Sequence, residues 1–229
     1  MSSGNTRGAV IFAGGLEGNT ISRQFAPNES GTLLEYVLDS VWTVADELIV
    51  VFGGGPKEPD LSLIEAIAPF GAKVLSCRSD ETPLSTLRSA FEASRSELCL
   101  FATERVPLLK PNVALALYDA AQGYDLSIPR WNDGRIEPLL SVYRRKAFVR
   151  ASDIQKSSGG GVAERNNLNA EISALIERLY AIKYVSIEGE LQELDPELDS
   201  FLEVKDDKSL QLARSKASIK ARKILGQVR

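Results

Sequence analysis

Residues 9–15 read Ala-Val-Ile-Phe-Ala-Gly-Gly, an apolar run of five residues that ends in two glycines. Short apolar runs of this kind are typical of a strand buried inside a sheet. In open α/β sheets, ligands bind outside the carboxyl ends of the strands, and glycines there let backbone N–H groups approach phosphate oxygens. The stretch therefore predicts a buried first strand with a phosphate-binding turn at Gly14 and Gly15.

Strand-like and helix-like segments alternate over the rest of the chain, which predicts an α/β fold with a mostly parallel sheet. The turn residues Asn132, Asp133 and Gly134 interrupt this alternation and favour a hairpin. Segment 139–143 is therefore predicted to be antiparallel, which makes the sheet mixed. The other predicted strands are 47–52, 73–77, 98–102, 126–128, 183–187 and a short one at 201–204.

Two helix starts carry clear local signals. Thr32 and Glu35 have the spacing of a capping box before a helix over 33–45. Thr82 precedes Pro83, which suits the first position of a helix running to about residue 93. Polar residues fill the stretch 157–167, which we predict to be a mobile surface loop that could close over a ligand. The other predicted helices are 61–68, 111–122 and 168–180.

The composition is that of a globular protein, since 44% of the 229 residues are hydrophobic and 25% are charged. The chain shows neither an apolar run of roughly 18 residues nor a secretory signal pattern, so we expect a cytoplasmic protein without a membrane span. Histidine is absent, which excludes catalysis by imidazole and most zinc sites. Cys77 and Cys99 lie in apolar surroundings and are expected to be buried, reduced thiols.

Charge is distributed unevenly along the chain. Residues 208–229 contribute seven positive charges and no negative one to a net charge of −4, so residues 1–207 carry −11. Apolar residues at helical spacing from Leu210 to Val228 predict an amphipathic helix with a basic outer face. We therefore predict one α/β domain over 1–207 with this helix packed on it. Binding of nucleic acid is disfavoured because no aromatic residue interleaves the cations.

Short motifs follow one another in a fixed order along nearly the whole chain. They are Ala13-Gly14-Gly15, Arg23, Pro27, the segment 33–39, Thr82-Pro83-Leu84, Pro129-Arg130, the segment 134–139 and the segment 142–145. Each motif alone is weak, but the ordered set resembles the molybdenum cofactor guanylyltransferases and related nucleotidyltransferases. This resemblance implies the three-layer, Rossmann-like fold of the nucleotide-diphospho-sugar transferases.

The resemblance also implies an activity, namely transfer of a guanylyl group from GTP with Mg²⁺ to the phosphate of molybdopterin, with release of pyrophosphate. Such a transfer needs positioning and charge neutralisation more than covalent chemistry. The implied nucleotide-binding residues are Ala13, Gly14, Gly15, Leu16, Asn19, Thr82 and Pro83, and Arg23 stands in place of the family's lysine. The implied acceptor-binding residues are Arg130, Glu137, Pro138 and Tyr143.

The sequence departs from the family pattern where the metal would bind. Arg105 stands where the family has its Mg²⁺-binding aspartate, and Glu203 and Lys205 replace two asparagines of a late motif. Across about 4 Å, two unit charges interact by about 4 kcal/mol at an effective dielectric near 20, so Arg105 would repel the ion. Glu104 and Glu203 are weak candidates for a substitute metal site. Their alternative role is a salt bridge to Arg105 or Lys205, and Arg105 could itself neutralise phosphate.

Three functions remain open from these residues. The leading one is a guanylyltransferase-like enzyme in which Arg23 and Arg105 are the catalytic residues. The second is a catalytically silent nucleotide-binding protein, or one that docks a cofactor-handling enzyme through its basic helix. The third is a nucleotidyltransferase with another phosphorylated acceptor, which nothing in the sequence names.

Overall fold

The computed structural model describes residues 6–14, 31–53, 61–77, 82–157 and 168–227, and the side chains of residues 62, 154–157 and 219–227 lie outside this description. The strands are β1 (Arg7–Ala13), β2 (Glu47–Phe52), β3 (Lys73–Ser76), β4 (Leu98–Thr103), β5 (Leu126–Arg130), β6 (Ser141–Arg144) and β7 (Ile182–Ser186). They form one sheet with the order β3-β2-β1-β4-β6-β5-β7. The strand that contains the apolar run 9–13 therefore lies near the middle of the sheet.

The helices are α1 (Leu33–Trp42), α2 (Leu61–Ile67), α3 (Pro83–Ala93), α4 (Pro111–Ala120), α5 (Arg145–Ser157), α6 (Leu168–Ile176), α7 (Gln192–Leu194) and α8 (Asp207–Gln227). The predicted capping box of α1 is confirmed. The Thr32 hydroxyl accepts a hydrogen bond from the Glu35 N–H, and the Glu35 carboxylate accepts one from the Thr32 N–H. Such reciprocal bonds satisfy two N–H groups that the first turn leaves without helical partners.

The predicted mixed sheet with one antiparallel strand is confirmed. Strand β1 lies parallel between β2 and β4, and Phe12 pairs with Val51 on one side and with Thr103 on the other. Strand β6 runs antiparallel to both β4 and β5, while β7 is parallel to β5. The reversal before β6 contains the predicted turn, where the Gly134 N–H donates to the Trp131 carbonyl and Gly134 has a φ of +91°.

Alternate residues of the central strands face opposite layers of helices. Along β1, Ile11 belongs to a buried cluster with side chains of α1, α2 and α4. Its neighbours Val10 and Phe12 belong to a second cluster with side chains of α3, α5 and α6. Because both faces of the strand are buried, its sequence is apolar throughout rather than alternating. The result is the predicted three-layer arrangement of helices, sheet and helices.

Some predicted elements were wrong. Residues 202–205 form no strand; a short 3-10 helix covers Asp199–Phe201, and Val204 makes a single backbone bond to the Arg105 carbonyl. Helix α6 ends at Ile176 instead of 180. Helix α5 was not predicted, because its buried residues, such as Phe148, form a narrow stripe among charged neighbours.

The remaining segments bear on the sequence predictions in different ways. Cys99 is buried and Cys77 partly buried, and both are free thiols. Residues 158–167 of the predicted loop lie outside the described residues. Helix α8 packs Leu210 and Ala213 against Leu33 and Val204. In the described part of the chain, no helix combines the length and apolar character needed to cross a membrane.

Candidate active site at the carboxyl edge of the sheet

The turn after β1 is a place where only glycine fits. Gly14 has a φ of +107°, and a Cβ atom added to it would lie 2.2 Å from the Gly53 carbonyl oxygen. Gly53, which follows β2, donates its N–H to the Ala13 carbonyl at 2.9 Å and so holds the two strand ends together. The other residues predicted for the triphosphate lie outside the described residues: Gly15, Leu16, Asn19 and Arg23.

The Glu104 carboxylate lies directly in front of this turn. Its Oε1 accepts a hydrogen bond from the Gly14 N–H at 3.0 Å, and its own N–H donates to the Phe12 carbonyl. The residue is only 6% exposed. Burial raises the pKa of Glu104 to about 7, although the Gly14 N–H and the Arg105 charge act to lower it. The amide predicted to bind phosphate therefore donates to a carboxyl oxygen here, which the protein itself supplies.

Arg105 and Lys205 share one carboxylate. Arg105 Nη1 lies 3.5 Å from Glu203 Oε1, and Lys205 Nζ lies 2.9 Å from Glu203 Oε2. The Val204 N–H donates to the Arg105 carbonyl at 2.7 Å, which brings the segment around Glu203 to the end of β4. Of the roles predicted for these charged residues, the structure therefore has the salt bridge, in which Arg105 pairs with the Glu203 carboxylate.

These residues do not fit a magnesium site at the position that the resemblance implies. Protein carboxylates hold Mg²⁺ through oxygens with free lone pairs, next to substrate phosphates. Here Glu104 accepts a hydrogen bond from the Gly14 N–H, and the charge of Glu203 is neutralised by Arg105 and Lys205. Within the described ranges, no three His, Cys, Asp or Glu side chains cluster closely enough to hold a metal ion. The metal role of Glu104 and Glu203 stays a prediction, and these contacts argue against it.

The predicted nucleotide segment at α3 lies at the same edge of the sheet. Thr82 caps the helix, and its hydroxyl accepts from the Ser85 N–H at 3.2 Å, while Pro83 takes the first helical position. Glu171 of α6 accepts a bond from the Leu84 N–H at 3.2 Å. Burial raises the pKa of Glu171, and the bonds from Leu84 and Thr82 partly offset this. Sequence reasoning missed Glu171, because a partner 87 residues away leaves no local signal.

Two of the predicted acceptor residues, Glu137 and Arg130, contact aromatic side chains. The Trp131 indole Nε1 donates to Glu137 Oε1 at 2.6 Å, and the Arg130 guanidinium lies over the Tyr184 ring at 5.1 Å. Burial raises the pKa of Glu137, which is bonded to Trp131 and repelled by the Glu203 charge. Glu137 is therefore electrostatically coupled to the carboxylate that pairs with Arg105 and Lys205. Trp131 was missed, although it directly follows Arg130 in the sequence.

Tyr143 does not reach the surface of the site. Its ring is fully buried and meets Phe91 and Phe148 edge to face. Its hydroxyl donates to the Pro138 carbonyl at 3.2 Å. Any part that Tyr143 has in acceptor binding therefore acts through Pro138, whose position it holds.

Glycine-bounded strand ends, a helix N-terminus and cationic side chains at one edge of a parallel sheet define a nucleotide-binding α/β protein. Comparison with known families makes the class specific. Residues 9–170 match the model of the MobA-like NTP transferase domain, and the chain belongs to this family. It is a nucleotidyltransferase-like protein, and the resemblance stated from its motifs is confirmed.

Individual relatives agree with the family match. A probable molybdenum cofactor guanylyltransferase of Methanosarcina acetivorans is 28% identical over 204 residues, which cover 87% of this chain and 86% of that protein. A protein of the same name from Methanosarcina mazei is 26% identical over 86% of this chain and 85% of its own length.

Solved structures confirm the fold. The crystal structure of molybdopterin-guanine dinucleotide biosynthesis protein A from Archaeoglobus fulgidus superimposes with a TM-score of 0.64 at 22% identity, and the match covers 92% of this chain and 98% of that one. The predicted fold of the nucleotide-diphospho-sugar transferases is therefore correct.

Proposed function

We propose that this protein transfers the guanylyl group of GTP to the phosphate of molybdopterin and releases pyrophosphate. The observation that carries the proposal is the carboxyl edge of the sheet, where the Gly14 N–H donates a hydrogen bond to an oxygen of the Glu104 carboxyl group, next in the chain to Arg105. Membership in an NTP transferase family supports the reaction class. The names of the Methanosarcina relatives support guanine and the molybdenum cofactor.

The reaction exchanges one bond for another at the α-phosphorus of GTP. A phosphate oxygen of the acceptor attacks this phosphorus, and a new P–O bond forms. The bond to the oxygen that bridges the α- and β-phosphates breaks, and pyrophosphate leaves with that oxygen. Because negative charge builds up on the phosphate oxygens, the protein contributes donors and cations at fixed positions. Gly14 and its neighbour Gly15 supply the backbone donors, and Arg23 and Arg105 supply the cations.

The two substrates, the nucleotide and the acceptor, bind at different elements of the fold. The nucleotide lies against the N-terminus of α3, where Thr82 and Pro83 begin the helix and Glu171 holds its first turn. The acceptor lies against the turn between β5 and β6, where Glu137 is oriented by Trp131. The Glu137 carboxylate is half-buried and held by the indole N–H. It can therefore accept a hydrogen bond, at a defined angle, from a donor group of the acceptor substrate.

Pyrophosphate release tests this function. Purified protein with GTP and molybdopterin is expected to release pyrophosphate and to form a guanylated cofactor that mass spectrometry detects. CTP and ATP serve as matched nucleotides and are expected to react far more slowly. The variant Glu137→Gln should lower kcat/KM, whereas Arg95→Ala, at the amino end of β4, should not. Absence of pyrophosphate release with every nucleotide would refute the proposed enzymatic function.

A catalytically silent nucleotide-binding protein is the second candidate. The observation that favours it is Glu203, whose two carboxylate oxygens are both paired with cations. For this candidate we expect GTP binding without pyrophosphate release. Calorimetric titration with GTP, run beside the release assay on the same preparation, separates the two functions.

A further inference from the structure

Three charged side chains form a cluster at the carboxyl edge of the sheet. Arg105 and Lys205 are joined by Glu203, which lies between them, and the backbone bond from Val204 to Arg105 keeps their segments together. The formal charge of these three side chains is +1. The neighbouring carboxyl groups of Glu104 and Glu137 both have pKa values raised by burial, which lowers their negative charge, so the two cations favour an anion over a divalent cation here.

Both cations are accessible to a ligand. The Arg105 side chain is 22% exposed and the Lys205 side chain 66% exposed. A guanidinium has five N–H donors, and within the described residues the ion pair with Glu203 involves a single nitrogen of Arg105. Donors therefore remain for phosphate oxygens, which a guanidinium binds in a fork and an ammonium binds as a point charge.

The adjacent turn already accommodates a carboxyl oxygen. Glu104, the residue before Arg105, places its carboxylate 3.0 Å from the Gly14 N–H. A phosphate oxygen has the same hydrogen-bonding character as this carboxylate oxygen. A triphosphate that replaces Glu104 at Gly14 would lie beside the Arg105 guanidinium.

We propose that this site binds the triphosphate of a nucleotide without a divalent cation, with Arg105 and Lys205 supplying the neutralising charge. The inference rests on the proposed function, because it takes a nucleoside triphosphate as the ligand. Glu203 holds the two cationic heads at the same edge of the sheet. Arg105 contributes more than Lys205, since its fork bonds two oxygens at once.

Calorimetric titration of the full chain with GTP tests the inference, once in excess EDTA and once in excess MgCl₂. We expect dissociation constants that agree within about threefold, a difference below 1 kcal/mol. Binding that is at least about tenfold tighter with magnesium would overturn the inference and leave the proposed function intact. Absence of GTP binding in both conditions would overturn the inference and the proposed function together.

Variants test whether GTP binding depends on Arg105 and Lys205. Arg105→Ala should weaken GTP binding in EDTA by about tenfold or more, and Lys205→Ala by about threefold. Arg105→Lys keeps the charge and should lose less affinity than Arg105→Ala. The matched control is Arg95→Ala, which removes an exposed arginine at the opposite end of the sheet and should bind like the wild type.

Circular dichroism verifies that each variant is folded. An unchanged affinity in folded Arg105→Ala refutes the role of the cluster. If Arg105→Ala does not fold, Arg105→Lys and Lys205→Ala decide. An unchanged affinity in both of these variants gives the same refutation, and a loss in either supports the inference.

Discussion

Two glutamates at opposite ends of the same sheet have opposite ionisation behaviour. Glu47 begins β2 at the amino edge, and Glu104 follows β4 at the carboxyl edge. The pKa of Glu47 is lowered to about 2, whereas the pKa of Glu104 is raised to about 7. Glu104 is the more deeply buried of the two, but burial acts to raise both pKa values, so it does not explain why the pKa of Glu47 is lowered.

The number of hydrogen-bond donors explains it. Burial acts to raise the pKa of Glu47, but bonds from Lys73 Nζ at 2.5 Å and from the Ser94 hydroxyl and Arg95 N–H at 2.8 Å outweigh it. Among the described residues, Glu104 has one such donor, the Gly14 N–H. A carboxylate with several donors is stabilised in its charged form. The amino edge therefore contains an anion with several donors that stabilises the fold, and the carboxyl edge contains a buried carboxyl group whose described donor is the Gly14 amide.

The largest effect is expected from Gly14→Ala, which breaks the carboxyl edge. The added Cβ would lie 2.2 Å from the Gly53 carbonyl oxygen, and alanine is strained at a φ of +107°. We expect the free energy of unfolding to fall by roughly 2–5 kcal/mol and GTP binding to be lost. Urea denaturation and calorimetry measure the two effects.

Gly134→Ala is the matched control. Gly134 also has a positive φ, +91°, but the nearest neighbour of an added Cβ lies 3.8 Å away. Only the backbone strain of about 1–2 kcal/mol is then expected. Equal losses in the two variants would mean that the close approach of Gly53 does not matter.

Glu47→Gln tests the amino edge. Because the folded pKa of about 2 lies below the ordinary glutamate pKa of 4.5, the stabilisation is present above pH 4.5 and is lost as the pH falls towards 2. We expect the variant to lose roughly 2–3 kcal/mol of unfolding free energy at pH 7 and about half of that at pH 3. Urea denaturation at both pH values measures it.

The control for this change is Glu65→Gln on the exposed side of α2, which should alter stability by no more than about 0.5 kcal/mol. A loss in Glu47→Gln that is the same at pH 7 and pH 3 would contradict the assignment of the effect to the ionised carboxylate.

Glu104→Gln tests the carboxyl edge, where the pKa is raised instead of lowered, and it has the smallest expected effect. Its folded pKa of about 7 lies above 4.5, so the carboxyl group stabilises the fold below pH 4.5 and this contribution disappears as the pH rises through 7. Stability of the wild type should therefore decline between pH 5 and pH 8 by roughly 2 kcal/mol more than that of the variant. Unfolding curves for wild type and variant that stay parallel over this range would refute the raised pKa.

Local signals in the sequence were sufficient for much of the fold. The apolar run of β1, the capping box at Thr32 and the turn at Gly134 all act within a few residues, and each appears in the structure as predicted. The failures have a common cause. In helix α5 the apolar residues form only a narrow stripe among charged residues. The predicted strand at 201–204 pairs with no strand in the described part of the chain.

The candidate site was predictable in its location and less so in its contacts. Gly14, Glu104 and Arg105 follow strands that end at one edge, so their proximity follows from a parallel sheet. The bond between Gly14 and Glu104 joins residues 90 positions apart. The pairing of Glu203 with both Arg105 and Lys205 likewise requires the segment after Phe201 to reach the end of β4.

The sequence by itself determined most of the segments that form strands and helices, because hydrophobic period, caps and turn residues act through the local backbone. It also determined that a glycine turn and a group of charged residues meet at one edge of a sheet. Only the tertiary structure decided which partner each charge takes, and with it whether a carboxylate is free to hold a metal. That choice depends on distances of a few ångströms between remote segments, over which Coulomb energies and hydrogen bonds change steeply.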